Sequence, residues 1–176
     1  MVWLIILVAV GLVFAPAMWL RPSARQQRVM RLRDAASRTG VRVRLEPSPL
    51  HNDGDRMPAY RWPYPAQRPG PDFMLVHDDQ ASAALKPFVE GWRWRKEPLQ
   101  TLPASLRERF AALLAELPSD AVAVESNAEA LTLWWDESLE PTVFAPLAGD
   151  LAELRDGLAG RPDRPAVRPP LQGPGA

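Results

Sequence analysis

Ala121-Val-Ala-Val-Glu125 and Ala130-Leu-Thr-Leu-Trp-Trp-Asp136, separated by Ser126-Asn-Ala-Glu129, form a hairpin pattern: two β-forming runs around a short polar insert. Side chains alternate between the faces of a strand, so Val122 and Val124 are expected to lie beside Leu131, Leu133 and Trp135. The adjacent Trp134 and Trp135 must point to opposite faces. An amphipathic helix flanks the hairpin on each side. Upstream, Leu106, Phe110, Leu113, Leu114 and Leu117 recur at helical spacing up to Pro118, with Ser105 and Glu108 at the spacing of a capping box. Downstream, Phe144, Leu147, Leu151, Leu154 and Leu158 repeat in the same way, and Gly160-Arg-Pro162 ends the run. One-sided helices around a hairpin predict an α+β class, with helices on one face of a mainly antiparallel sheet. The slowest-exchanging core is expected between Leu106 and Leu158.

Toward the N-terminus the strand signals continue. Val41-Arg-Val-Arg-Leu45 alternates apolar with charged, predicting a strand with Val41, Val43 and Leu45 inward. Glu46 to Asp55 reads as a loop, with Pro47, Pro49 and the turn-forming Asn52-Asp-Gly-Asp55. Ala59 to Tyr64 puts Tyr60, Trp62 and Tyr64 on one face, and Pro63, which cannot donate to a ladder, predicts a sheet edge. Phe73 to His77 and Phe88 to Arg95 each read as one further strand. The region Glu46–Pro71 has a sparser apolar pattern and is expected to open more readily than the rest. The expected organisation is a span at 1–20, a basic juxtamembrane helix at 21–40, an α+β domain at 41–160 and a disordered Pro-rich tail at 161–176.

Val2 to Leu20 is an unbroken apolar run with Trp3 and Trp19 near its ends. At about 1.5 Å per residue it matches the roughly 30 Å hydrocarbon core of a bilayer, which predicts a transmembrane helix. Ala15-Pro-Ala17 has the form of a signal-peptidase site, but no Lys or Arg precedes the run. Arg21, Arg25, Arg28, Arg31 and Arg33 follow it, which predicts an uncleaved inner-membrane anchor with the N-terminus outside and the domain in the cytoplasm. Pro22 suits a first helical position and Gly40 a helix end, so residues 23–39 are expected to be helical. On that helix Arg21, Arg25 and Arg28 read as a basic stripe, and Arg21, Arg25, Arg28 and Arg31 are the expected contacts with an anionic membrane surface. The formal charge of zero hides an asymmetry: residues 21–45 carry net +7 and residues 46–160 net −9.

No cysteine is present, which removes disulfides, thiolate metal sites and a cysteine nucleophile. Arginine outnumbers lysine 19 to 2, as bacterial genomes rich in G and C produce, so the excess does not by itself point to nucleic acid. His51-Asn-Asp-Gly-Asp55 and His77-Asp-Asp79 set carboxylates beside an imidazole but read as turns, without metal-ligand spacing, a phosphate loop or a nucleophile elbow. A non-enzymatic protein without cofactor or metal is therefore expected; a membrane-anchored enzyme would have to use one of these two clusters. Partly exposed aromatic stripes bind partners, and Trp62, Trp92 and Trp134 are the candidate partner-binding residues. The expected partners are the lipid bilayer and another membrane protein, and no nucleic acid.

The apolar run leading into Leu20-Arg-Pro22, then Arg25-Gln-Gln-Arg28 and a helix ending Thr39-Gly-Val41, resembles YajC, the single-span accessory subunit of the bacterial Sec translocase. The resemblance covers about 45 residues. It implies a translocase-associated accessory role and carries no site residue. Beyond Leu45 it stops: Pro47 to Pro49 stand where that family has glycines.

Overall fold

The computed structural model describes Trp3, residues 23–50 and residues 56–163. The apolar run apart from Trp3, Arg21, the His51 cluster and the tail from residue 164 lie outside the described residues. Among the described residues no helix is long and apolar enough to cross a membrane.

Helix α1 (Ala24–Arg38) starts at a full capping box. The Ser23 side chain accepts from the Gln26 backbone at 3.2 Å, and the Gln26 side chain accepts from the Ser23 backbone at 2.8 Å. It ends where expected: Gly40 has φ +85°, a conformation glycine adopts without steric penalty. Then follow β1 (Arg42–Pro47), β2 (Arg56–Pro63), β3 (Phe73–His77), β4 (Lys86–Val89) and β5 (Trp92–Lys96). Helix α2 (Ala104–Glu116), the hairpin of β6 (Ala121–Ser126) and β7 (Ala130–Trp135), and helix α3 (Pro141–Leu158) complete the domain. The strands form one seven-stranded sheet in the order β1-β2-β7-β6-β3-β5-β4, and every neighbouring pair is antiparallel.

The hairpin and the two helices beside it form as read from the sequence. All three helices contribute buried apolar side chains to one continuous core over one face of the sheet. Trp135 faces these helices, stacked on Phe144 with centroids 5.0 Å apart, while Trp134 is buried in a smaller cluster on the opposite face with Leu50, Ala59, Val76 and Ala123. Val124 pairs with Leu133 and joins the helix-side core, but a register shift between Ala121 and Ala123 sends Val122 to the opposite face. A bulge adds a residue to one strand, and alternation across it breaks.

Five other expectations are corrected. Strand β2 is not at an edge: it lies between β1 and β7, and Pro63 is tolerated because it is the strand's last residue. Within the region Glu46–Pro71 the strand β2 is therefore packed into the sheet, since Ala59 and Tyr60 are inaccessible and Trp62 is nearly so. Phe88 to Arg95 is two strands, folded back at Glu90-Gly91, where Gly91 takes φ +79°. Helix α2 begins one residue before Ser105, with Pro103 as its N-cap and no side-chain cap, so Ser105 sits inside the first turn. Of the three inward residues expected around β1, Val41 is buried and Val43 half-buried, but Leu45, on the outermost strand, is 46% exposed.

Candidate functional site

Helix α1 is amphipathic in a way its arginines conceal. Leu32 and Ala36 are buried against the rest of the domain, which makes α1 a layer of the fold. The arginines divide between its two sides. Arg25 and Arg31 are exposed, as membrane-contacting residues would be. Arg28 is not part of a free basic stripe: it is half-buried, and its guanidinium donates to the backbone carbonyl of Glu137 at 3.4 Å.

Glu137 is the centre of that contact. Its residue is 3% exposed, and it takes φ +60°, the left-handed conformation in which a side chain is uncommon. Arg33 grips its carboxylate with Nε at 2.7 Å from Oε1 and Nη2 at 2.6 Å from Oε2, the two-pronged geometry that suits guanidinium and carboxylate. The Tyr60 hydroxyl donates to Oε1 at 2.8 Å. Burial and the neighbouring Glu137 charge hold the Tyr60 phenol far above its ordinary range. Its ring packs edge-on against Trp135 and Phe144, with centroids 5.4 Å and 5.3 Å away. The backbone beyond is fixed too: Ser138 donates to Asp120 from both its N–H (3.1 Å) and its hydroxyl (2.7 Å). This knot joins α1, β2 and the β7–α3 connection. Sequence reasoning missed it because Arg33 and Glu137 are 104 residues apart and Asp136-Glu-Ser-Leu-Glu140 reads as an ordinary polar linker.

The expected aromatic surface takes a different form. Trp62, Trp92 and Trp134 are each 3% exposed, so none of the three offers a ring face to a partner. Trp62 donates to the Ala148 carbonyl at 3.2 Å, Trp134 to Glu125 at 3.1 Å, and Trp92 meets His77 edge-on at 5.3 Å. The indole N–H groups of Trp62 and Trp134 thus find partners inside the domain, as buried aromatic polar groups usually do. His77 caps a short 3-10 turn at Asp78–Gln80, its Nδ1 accepting from the Asp79 N–H at 3.4 Å. Among the described residues no group of three His, Asp or Glu side chains is placed to hold a metal ion.

The surface polarity that does stand out is cationic and lies at the β1 edge. Arg42 and Arg44 are exposed and, unlike Arg61, which holds Glu46 at 2.8 Å, have no ionic partner among the described residues. No family model, no curated protein and no solved structure matches this chain.

Proposed function

We propose that this chain is a single-span inner-membrane protein of a bacterium, and that its α+β domain is a non-enzymatic accessory or interaction module held in the cytoplasm at a fixed attitude to the bilayer. The observation that carries this reading is the knot of Arg33, Glu137 and Tyr60. It keys into the domain the very helix that follows the apolar run of residues 2–20 in sequence. An anchor joined to such a helix through a few residues transmits its position to the whole sheet; a flexible linker would not. Arg25 and Arg31 then contact an anionic leaflet, each contributing on the order of 1 kcal/mol, with Arg21 beside them in sequence and Arg28 engaged by the domain.

A reporter fused after Ala176 tests the topology: activity in the cytoplasm alone is expected, from the arginines that follow the apolar run and their absence before it. Activity in the periplasm, or a mature chain starting at Met18, overturns it. The N-terminal stretch of about 45 residues that resembles YajC supports a more specific reading, a translocase accessory component. Cross-linking from exposed Met30 in intact membranes separates the two, since recovery of no Sec subunit eliminates the translocase reading.

A further inference from the structure

The two edges of the sheet differ. At one end β4 is four residues long, contains Pro87 and shifts register between Pro87 and Val89, all features that discourage another strand from pairing. At the other end β1 pairs on one side only, with β2, in continuous register from Arg42 to Pro47. Of its backbone groups the Leu45 carbonyl is already held by the Arg56 guanidinium at 2.8 Å and Pro47 has no N–H, so an added strand would use the remaining outer groups around Val43, and the side chains of β1 indicate which strand fits.

On β1, Arg42 and Arg44 share one face of the sheet, and Val43 and Leu45 share the other, the face the helices cover. Arg42 and Arg44 are exposed and have no ionic partner among the described residues, and the strand's acid, Glu46, is already engaged by Arg61. Leu45 is 46% exposed, and Met30, on the neighbouring helix α1, is 55% exposed. A second copy of this chain would set Arg42 and Arg44 against the same two arginines, and like charges on facing strands repel. An acidic strand would be attracted.

We propose that β1 is a docking edge for an extended segment of another protein in which acidic and apolar residues alternate. The segment adds an eighth strand beside β1. Its carboxylates lie beside Arg42 and Arg44, and its apolar side chains lie beside Val43 and Leu45 below Met30. The part of the main-chain edge that Arg56 leaves open favours a polypeptide over a lipid surface, because lipid headgroups have no ladder to complete. The inference rests on the domain and not on its attachment to a membrane.

The test uses the full chain in a zwitterionic detergent, titrated with a synthetic peptide of alternating glutamate and valine and, separately, with its lysine-valine counterpart. The acidic peptide should bind and slow amide exchange within residues 42–47, and the basic peptide should not bind. Arg42→Glu with Arg44→Glu, both at exposed positions, should weaken the acidic peptide about tenfold and confer binding of the basic one. An unchanged thermal transition checks that this variant still folds. Equal affinity of the variant for the acidic peptide, or binding that leaves β1 amides unprotected, overturns the proposal. So does dimerisation through β1. Binding to anionic lipid vesicles that disappears with the two arginines, without any peptide binding, assigns the corner to a lipid surface instead. A failed topology test would leave these results untouched.

Discussion

Glu137 shows how much a single buried charge fixes in this molecule. Its carboxylate is satisfied by Arg33 and Tyr60, and removing one partner strands the charge in a low-dielectric site. Arg33→Ala should cost about 3 kcal/mol, the low end for a broken buried pair, because the arginine side chain is itself 35% exposed and water screens part of the effect. Urea unfolding measures it, and a loss under about 1 kcal/mol would mean the knot is ornamental. Arg33→Met combined with Glu137→Gln should lose less than the two single changes added together, since it removes both charges. The chain has 2 tyrosines, and both are raised in the folded state: Tyr64, buried and bonded to Ser126 at 2.9 Å, is pushed up to about 12 and Tyr60 further still. A raised phenol keeps its proton in the native state while the unfolded chain loses it near pH 10, so the unfolded state binds fewer protons. This contribution to stability is complete below about pH 10 and is lost as the pH rises toward and through the folded values. Phenolate absorbance in alkali should therefore appear together with loss of the near-ultraviolet circular dichroism. Smooth tyrosine titration near pH 10 with the fold intact would show that the rings are accessible.

At the scale of the element, α1 is the informative case. Its capping box, its lack of breakers and the glycine after its end specify a helix locally. Its window Arg28-Val-Met-Arg-Leu-Arg-Asp34, with four charges in seven positions, is too charged to read as a core helix. Yet Leu32 is fully inaccessible, and Leu32→Ala should cost about 2–5 kcal/mol, as for other buried leucines. In a juxtamembrane helix lying free of the domain the same change would be neutral or slightly favourable, because alanine has the higher helix propensity, so thermal unfolding of this one variant separates the two pictures. Strand β2 teaches a similar lesson. Two prolines within it, Pro58 and Pro63, argue for an edge, but β2 sits inside the sheet with Tyr60 and Trp62 facing the helices. The apolar area those two rings bury on folding outweighs the missing ladder donors.

For the whole molecule, the order β1-β2-β7-β6-β3-β5-β4 places the N-terminal pair β1 and β2 directly beside the C-terminal hairpin. The sheet therefore closes only when distant parts of the chain meet, and β2 belongs to the last part to open. Amide exchange should show β2 protected as strongly as β7, to which it is paired from Ala59 to Pro63. Fast exchange across Arg56–Pro63 beside slow exchange in β7 would mean that the first hairpin forms a separate, weaker unit. The charge asymmetry follows the same geometry: the strongly basic stretch that includes α1 and β1 is folded onto one end of the sheet, which concentrates unpaired cations there.

The sequence by itself determined the elements whose signals are local. Periodicity specified α2 and α3, alternation around a polar insert specified the β6–β7 hairpin, and Gly40 marked the end of α1, because caps and apolar spacing act within one or two turns of chain. It also required Trp134 and Trp135 to part company, since neighbours on a strand cannot share a face. Only the tertiary structure decided the rest. Whether β2 is central or peripheral depends on which strand pairs with it, and whether Trp62, Trp92 and Trp134 are exposed depends on what covers each face. That Arg33 and Glu137 form one site, and that β1 is left as an open basic edge, depends on contacts between segments roughly a hundred residues apart, for which the hydrophobic pattern of either segment alone contains no information.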